Sequence, residues 1–181
     1  MEHEKTVLLV MDVQPGIIDR VENKEVYLAG ITNTVAFAHK NDIPVLYVVV
    51  GFRANFPEVS PRNKSFQAIR ENAAMQFITP QPVVALSEKD VLVVKHRISA
   101  FSGSDLDMLL RAQGIEHLVL AGIATSGVVL STLREAADKD YQLTVLSDLC
   151  ADSDKEVHSV LLEKIFPRQA NVMTSEAWMQ G

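Results

Sequence analysis

Six short runs in this 181-residue chain, at 6–11, 43–50, 91–94, 117–121, 142–146 and 170–173, are rich in β-branched and other apolar residues, and most are apolar along their whole length. A strand that buries one face alternates apolar and polar positions. A strand covered on both faces does not, which is the mark of a parallel sheet lying between helices. Helical patterns fill the intervals. The segment 24–40 keeps Val26, Ala29, Gly30, Thr34, Phe37 and Ala38 roughly on one face. The segment 104–113 opens with Ser104 as N-cap, carries Asp105 and Asp107 in its first turn, and stops at Gly114. Helices over 126–138 and 154–165 follow, the latter stopped by Pro167. This alternation predicts a doubly wound α/β sandwich with right-handed crossovers. With no internal repeat and no linker, residues 1–181 read as one domain.

Composition narrows the class. A formal net charge of -6 with no Lys/Arg cluster argues against general nucleic-acid binding. No apolar run approaches the roughly 20 residues of a membrane span. The charged start, Met1-Glu2-His3-Glu4-Lys5, leads into a strand rather than a signal-peptide core. The single cysteine, Cys150, allows no intrachain disulfide and fits a reducing compartment. The expectation is a cytoplasmic protein with a small-molecule substrate and neither nucleic acid nor membrane as partner. A nucleotide-binding or redox domain is disfavoured, because there is no Gly-x-Gly-x-x-Gly after the first run, no P-loop and no Cys-x-x-Cys.

Three segments close apolar runs with chemistry. Val7-Leu8-Leu9-Val10-Met11 leads into Asp12-Val13-Gln14-Pro15, and Val91-Leu92-Val93-Val94 into Lys95. Leu118-Val119-Leu120-Ala121 leads into Gly122-Ile123-Ala124-Thr125-Ser126-Gly127-Val128. The carboxyl ends of an open parallel sheet line its ligand crevice, so an acid, an amine and a glycine-bounded turn converge there. Desolvation raises a carboxyl pKa and a nearby lysine opposes the rise, so Asp12 and Lys95 are either a proton-handling pair or an ion pair fixing two loops. The N–H groups of the turn, backed by a helix dipole, suit an anion or a developing oxyanion; close packing of small residues explains the same turn. The stretch 51–65, with two prolines, Arg53 and Arg62, reads as a long loop near the crevice, either a lid or a solvated surface loop. If it folds over, an arginine such as Arg53 binds a substrate carboxylate bidentately and Phe101 supplies an apolar wall. Gln14, beside Asp12, joins them as a candidate substrate-binding residue.

Together these residues resemble the isochorismatase-like, or cysteine hydrolase, superfamily of isochorismatases, nicotinamidases and N-carbamoylsarcosine amidohydrolases. The resemblance covers nearly the whole chain. It rests on Leu8-Leu9-Val10-Met11-Asp12-Val13-Gln14, on Lys95 with Ser99-Ala100-Phe101 and Asp105-Leu106, and on Gly122-Ile123-Ala124-Thr125. It continues in Thr132 with Ala136-Ala137-Asp138 and Tyr141, then in Asp148-Leu149-Cys150. It implies a three-layer α/β/α sandwich with a six-stranded parallel sheet, a homo-oligomer, and a catalytic triad of Asp, Lys and Cys. The Asp falls at Asp12 and the Lys at Lys95, but the cysteine position is held by Val128. An isopropyl group can neither attack a carbonyl nor carry an acyl group, so a thioester route through this position is excluded. Isochorismatases also lack that cysteine and usually have glycine there; they protonate a vinyl ether, with the aspartate as the acid. The resemblance also implies a cis peptide at Ile123–Ala124 in the turn that runs on through Thr125, and an oxyanion hole at the N–H groups of Ala124 and Val128. The nicotinamidase metal site needs an Asp and a His-x-His pair after the second strand. Gly51-Phe52-Arg53-Ala54-Asn55 offers neither, so no metal and no cofactor are expected.

The reading is a hydrolase that acts on a small molecule through Asp12 and Lys95 without a thiol. The alternative is a catalytically silent member that binds a small carboxylate or amide. Cys150 reads as a buried, inert thiol, Ser126 as a helix cap and His96 as structural. Trp178 reads as packing at a sheet edge or a subunit contact.

Overall fold

A computed structural model describes residues 5–72 and 77–181. The strands are β1 (Thr6–Met11), β2 (Val45–Val50), β3 (Val91–Lys95), β4 (His117–Ile123), β5 (Gln142–Ala151) and β6 (Asn171–Met173). They form one six-stranded sheet in the order β3-β2-β1-β4-β5-β6, and every neighbouring pair is parallel. The chain winds outward from β1 to β3, then crosses back to lay β4 on the other side of β1. The strand order therefore reverses between β1 and β4, where doubly wound sheets bind ligands.

Helices cover both faces: α1 (Lys24–Lys40), α2 (Lys64–Glu71), α3 (Leu106–Ala112), α4 (Leu130–Asp138), α5 (Lys155–Val160) and α6 (Ser175–Gln180). Every residue of β1 and β2 is buried, as their unbroken apolar runs require. Alternate residues then feed opposite cores. Leu8 and Val10 pack with Tyr27, Ile31 and Val35 of α1. Val7, Leu9 and Met11 pack with Leu106 and Leu110 of α3 and Leu133 of α4. Fully burying one such side chain is worth about 1.5–3 kcal/mol, whereas an exposed pair such as Lys5–Glu116 contributes about 1 kcal/mol or less, so the two cores hold the sheet.

Several boundaries differ from the sequence expectation. The packed face of α1 is Tyr27, Ile31, Thr34, Val35 and Ala38. Val26, placed on that face by the sequence pattern, is 73% exposed. β5 continues past Leu146 to Ala151, and its register against β4 shifts between Leu120 and Gly122, where residues 146–149 of β5 stand opposite Ala121 alone. The helix expected from Ser126 begins as a wider π-type turn, Thr125–Val129, before α4. Ser126 caps nothing with its side chain; its N–H donates to Asp152 Oδ2 at 2.8 Å, tying the turn to the end of β5. The helix expected from Ser104 starts at Leu106 with Asp105 at the N-cap position, and Ser104 Oγ, one residue ahead of the cap, accepts from Leu106 N–H at 3.2 Å. Trp178 packs edge-on against Phe37 of α1 with ring centroids 5.3 Å apart.

Gly122 lets β1 and β4 approach. A Cβ there would stand 2.4 Å from Met11 O and 2.9 Å from Met11 Cβ, on backbone with no room to yield. Gly122→Ala is expected to destabilise the fold by about 1–3 kcal/mol, the range for overpacking a tight core, with urea unfolding as the check.

Candidate active site

Asp12 directly follows β1. Its N–H still bonds to Val48 O at 2.7 Å, but its φ of +57° turns the chain out of the sheet. Aspartate tolerates this left-handed conformation better than most residues. Gln14 then fastens the departing chain. Its Oε1 accepts from Val50 N–H at 2.8 Å and its Nε2 donates to Val50 O at 3.1 Å, a side-chain imitation of one more step of β1–β2 pairing. Gln14 is 1% exposed, so both amide groups are used up in holding the backbone.

Lys95 ends β3, two strands away, and reaches across the end of β2. Its Nζ lies 3.0 Å from Asp12 Oδ2 and donates to Arg97 O at 2.9 Å. The pair is almost dry: the side chains are 9% exposed for Asp12 and 3% for Lys95. Asp12 Oδ1 is buried with no hydrogen-bond partner. Burial pushes the Asp12 carboxyl up and the Lys95 ammonium pulls it back, with burial the stronger. The result is a carboxylate with one oxygen committed and the other idle.

Both side chains line a cavity of about 280 Å³ at the reversal point of the sheet. Val50, Ile123, Ala124, Gly127 and Val128 form its base, and Phe66, Ile69 and Phe77 its opposite wall. The Ile123–Ala124 peptide bond is cis. The turn closes on Ala124 O through the N–H groups of Gly127 (3.1 Å) and Val129 (3.3 Å), which leaves the Val128 N–H out of that pairing. Thr125 is fully buried behind the turn, where its Oγ1 shares a 2.8 Å hydrogen bond with His158 Nδ1.

Three expected substrate contacts stand elsewhere. Gln14 is consumed by Val50, as above. Arg53 is 72% exposed and pairs with Glu58 at 2.5 Å, five residues along the same loop, a closer partner than anything across the crevice. Phe101 lies in the core beneath α3, stacked on Tyr141 at 6.1 Å. Phe66 and Phe77 supply the apolar wall instead. The 51–65 stretch keeps Arg53 and Arg62 exposed, as a surface loop does, but is anchored from beneath: Phe52, Phe56 and Val59 are buried, and Phe52 meets the rings of Phe56 and Phe66 at 5.7 Å. It delivers α2, which Asn63 caps by accepting from Phe66 N–H at 3.1 Å. The cavity residues missed by sequence reasoning are Ser65, Phe66 and Ile69 of this helix, with Ile17, Arg20, Phe77 and Ile98 from turns.

Cys150 is buried, and burial pushes its thiol up to about 12, so it stays protonated and unreactive. It lines a separate groove of about 860 Å³ between α1 and the end of β5, which contains neither Asp12 nor Lys95. His96 shares a 2.6 Å hydrogen bond with Gly51 O, a structural contact. Among the described residues no group of three or more His, Cys, Asp and Glu side chains is gathered that could hold a metal ion. No helix among them is long and apolar enough to cross a membrane.

Fold and site define an isochorismatase-like α/β protein. Residues 6–177 match the isochorismatase domain, and the chain belongs to that family. It is 29% identical over 181 residues to the uncharacterized isochorismatase family protein YwoC of Bacillus subtilis, covering 99% of this chain and 95% of that protein. It is 30% identical over 207 residues to the ureidoacrylate amidohydrolase RutB of Methylobacterium radiotolerans, covering 96% of this chain and 75% of that one. An isochorismatase family protein from Burkholderia thailandensis superposes with a TM-score of 0.85 at 26% identity, covering 98% of this chain and 97% of that chain.

Proposed function

We propose that the protein is a cytoplasmic, homo-oligomeric hydrolase of small molecules in which Asp12 and Lys95 work without a covalent thiol intermediate. The observation that carries this reading is the idle, buried Asp12 Oδ1 beside a cavity whose nucleophile position is filled by the Val128 isopropyl group. A carboxyl that burial raises above its ordinary pKa suits general acid catalysis. On an acid-labile linkage such as a vinyl ether, Asp12 protonates the alkene carbon and water adds to the resulting oxocarbenium ion. The hemiketal then collapses with cleavage of the carbon–oxygen bond, and the proton returns to Asp12. Lys95 holds the carboxyl in place and stabilises its ionised form, and the N–H groups of Ala124 and Val128 face the oxygen that carries charge.

Val128 also supports a second reading, a family member that binds a small carboxylate or amide and does not turn it over. One experiment separates the two. Isochorismate, small amides and carbamoyl compounds are incubated with wild type and Asp12→Asn while product release and thermal shift are followed. Catalysis by Asp12 predicts turnover that falls by about 10²–10⁴-fold in Asp12→Asn. Stabilisation without product, altered by the same substitution, identifies a silent binder. No turnover and no Asp12-dependent stabilisation with any compound would overturn both.

A further inference from the structure

The turn that bears the N–H groups of Ala124 and Val128 has no polar hold on its cavity side. Ile123, Ala124, Gly127 and Val128 face the cavity, and none of them carries a polar side chain. Gly127 stands in open space, since a Cβ placed there would meet only Ala124 Cβ, at 3.8 Å. Two donors that converge on one oxygen need firmer placing than this, because a misplacement of about 1 Å costs on the order of 10²-fold in rate.

The hold comes from behind, from the segment that joins β5 to α5. Asp152 Oδ2 accepts from Ser126 N–H at 2.8 Å and its Oδ1 from Asp154 N–H at 3.2 Å, so one carboxylate ties the turn to the approach of α5. Asp154 caps α5 by accepting from the N–H groups of Glu156 and Val157, each at 3.0 Å, and its carbonyl receives His158 N–H at 3.0 Å. That cap sets His158 against Thr125, whose Oγ1 lies 2.8 Å from the ring Nδ1. Thr125 is 0% exposed, and without this ring its hydroxyl would be stranded away from water. Asp152 and His158 both line the groove behind the turn, which contains neither Asp12 nor Lys95.

We propose that His158 is a positioning residue: through Thr125 it holds the N–H groups of Ala124 and Val128 toward the Asp12–Lys95 cavity. It stands behind the turn and acts through the Thr125 hydroxyl. This proposal rests on the reading of that cavity as the working site.

The thiol introduced by Val128→Cys reports on those donors, because N–H groups at the start of a helical turn stabilise a thiolate. Iodoacetamide labelling across pH separates the midpoint of thiolate formation from the plateau rate, which follows exposure. In this background His158→Leu is expected to raise the midpoint by about one pH unit, a tenfold loss of thiolate at neutral pH. His158→Asn, whose amide stands where Nδ1 does, restores the midpoint; His158→Gln, whose amide stands nearer Nε2, does not. Thr125→Val raises it as His158→Leu does, and the two together raise it no further, as one shared contact requires. Asp12, Lys95 and Arg20, the charged side chains lining the cavity, are the same throughout this series, and a lost imidazole charge would act alike in His158→Asn and His158→Leu. An unmoved midpoint in His158→Leu, no rescue by His158→Asn, or additive effects of Thr125→Val and His158→Leu overturns the role of His158. Lys95→Met in the same background tests the cavity reading separately. If it moves the midpoint while His158→Leu does not, the cavity reading survives alone; if it does not move the midpoint, that reading falls and this proposal with it. Should Val128→Cys fail to fold, amide NMR of the His158 variants alone replaces it. His158→Leu is then expected to displace the Ala124 and Val128 N–H signals and His158→Asn to return them; signals that stay in place in the first, or fail to return in the second, overturn the proposal.

Discussion

Lys95→Met is expected to destabilise the fold by about 3–5 kcal/mol, because it leaves the Asp12 carboxylate buried with no cation beside it. Asp12→Leu with Lys95→Met should be close to neutral or even stabilising, since two hydrocarbon side chains of similar volume remove both desolvation penalties. The contrast between single and double variants isolates the pair from the packing around it. The pH dependence follows from the Asp12 proton. Burial lifts this carboxyl above its ordinary value of 3.8, so the folded chain holds the proton more tightly than the unfolded chain does. The stabilisation from that proton is complete below 3.8 and is lost as the pH rises through the folded value. Relative to Asp12→Asn, wild type therefore loses stability as the pH rises from 3.8 through the folded value, and Lys95→Met extends the loss to higher pH. Urea unfolding of the three proteins across that range measures it. A difference between wild type and Asp12→Asn that grows toward acid would contradict the dominance of burial over the Lys95 attraction.

A stable fold that keeps such a pair at the end of its sheet carries a group that its own packing does not require. The core accounts for this contrast with the rest of the molecule. Val7–Met11 and Val45–Val50 are legible as strands because burial on both faces leaves no room for polar residues. The order in which they pair is less visible; it comes from the crossover that brings β4 beside β1. α2 and α6 escaped the sequence reading, although α3 and α5, which are no longer than α2, did not. α2 shows only Phe66 and Ile69 as apolar anchors, within a stretch rich in loop-forming residues. The rotation of the α1 face shows the same limit, since Gly30 and Ala29 fit either side of a helix while Tyr27 and Ile31 settle which side packs.

At the site, Asp12, Lys95 and the 123–128 turn were legible because each terminates a strand, and strand ends fix position without knowledge of side-chain direction. Gln14, Arg53 and Phe101 were misplaced for want of that direction. Each satisfies itself nearby: Gln14 on Val50, Arg53 on Glu58, Phe101 on Tyr141. Arg20 had no pattern to reveal it. Its position depends on a single short turn after Gly16, whose φ of +81° is comfortable for glycine.

Val128→Cys will create a reactive thiol where the wild-type chain has none. The substitution trades an isopropyl group for a smaller side chain at a buried position and should cost about 1.5 kcal/mol or less. The new sulfur would sit at the start of a helical turn and border the same cavity as the Lys95 ammonium, both of which favour a thiolate. Cys150, with its thiol pushed up to about 12, serves as the internal reference. Iodoacetamide at neutral pH is expected to place one carbamidomethyl group on Val128→Cys, the thiolate sulfur displacing iodide, while wild type stays unmodified on the same timescale. Adding Lys95→Met should slow the labelling by an order of magnitude or more, because the ammonium that stabilises the thiolate is gone and Asp12 faces the sulfur alone. Peptide mapping assigns the modified residue. Labelling of Val128→Cys no faster than of Cys150, or insensitive to Lys95→Met, would mean that position 128 does not share its environment with the Asp12–Lys95 pair, and the chemical argument for this cavity would lose its base.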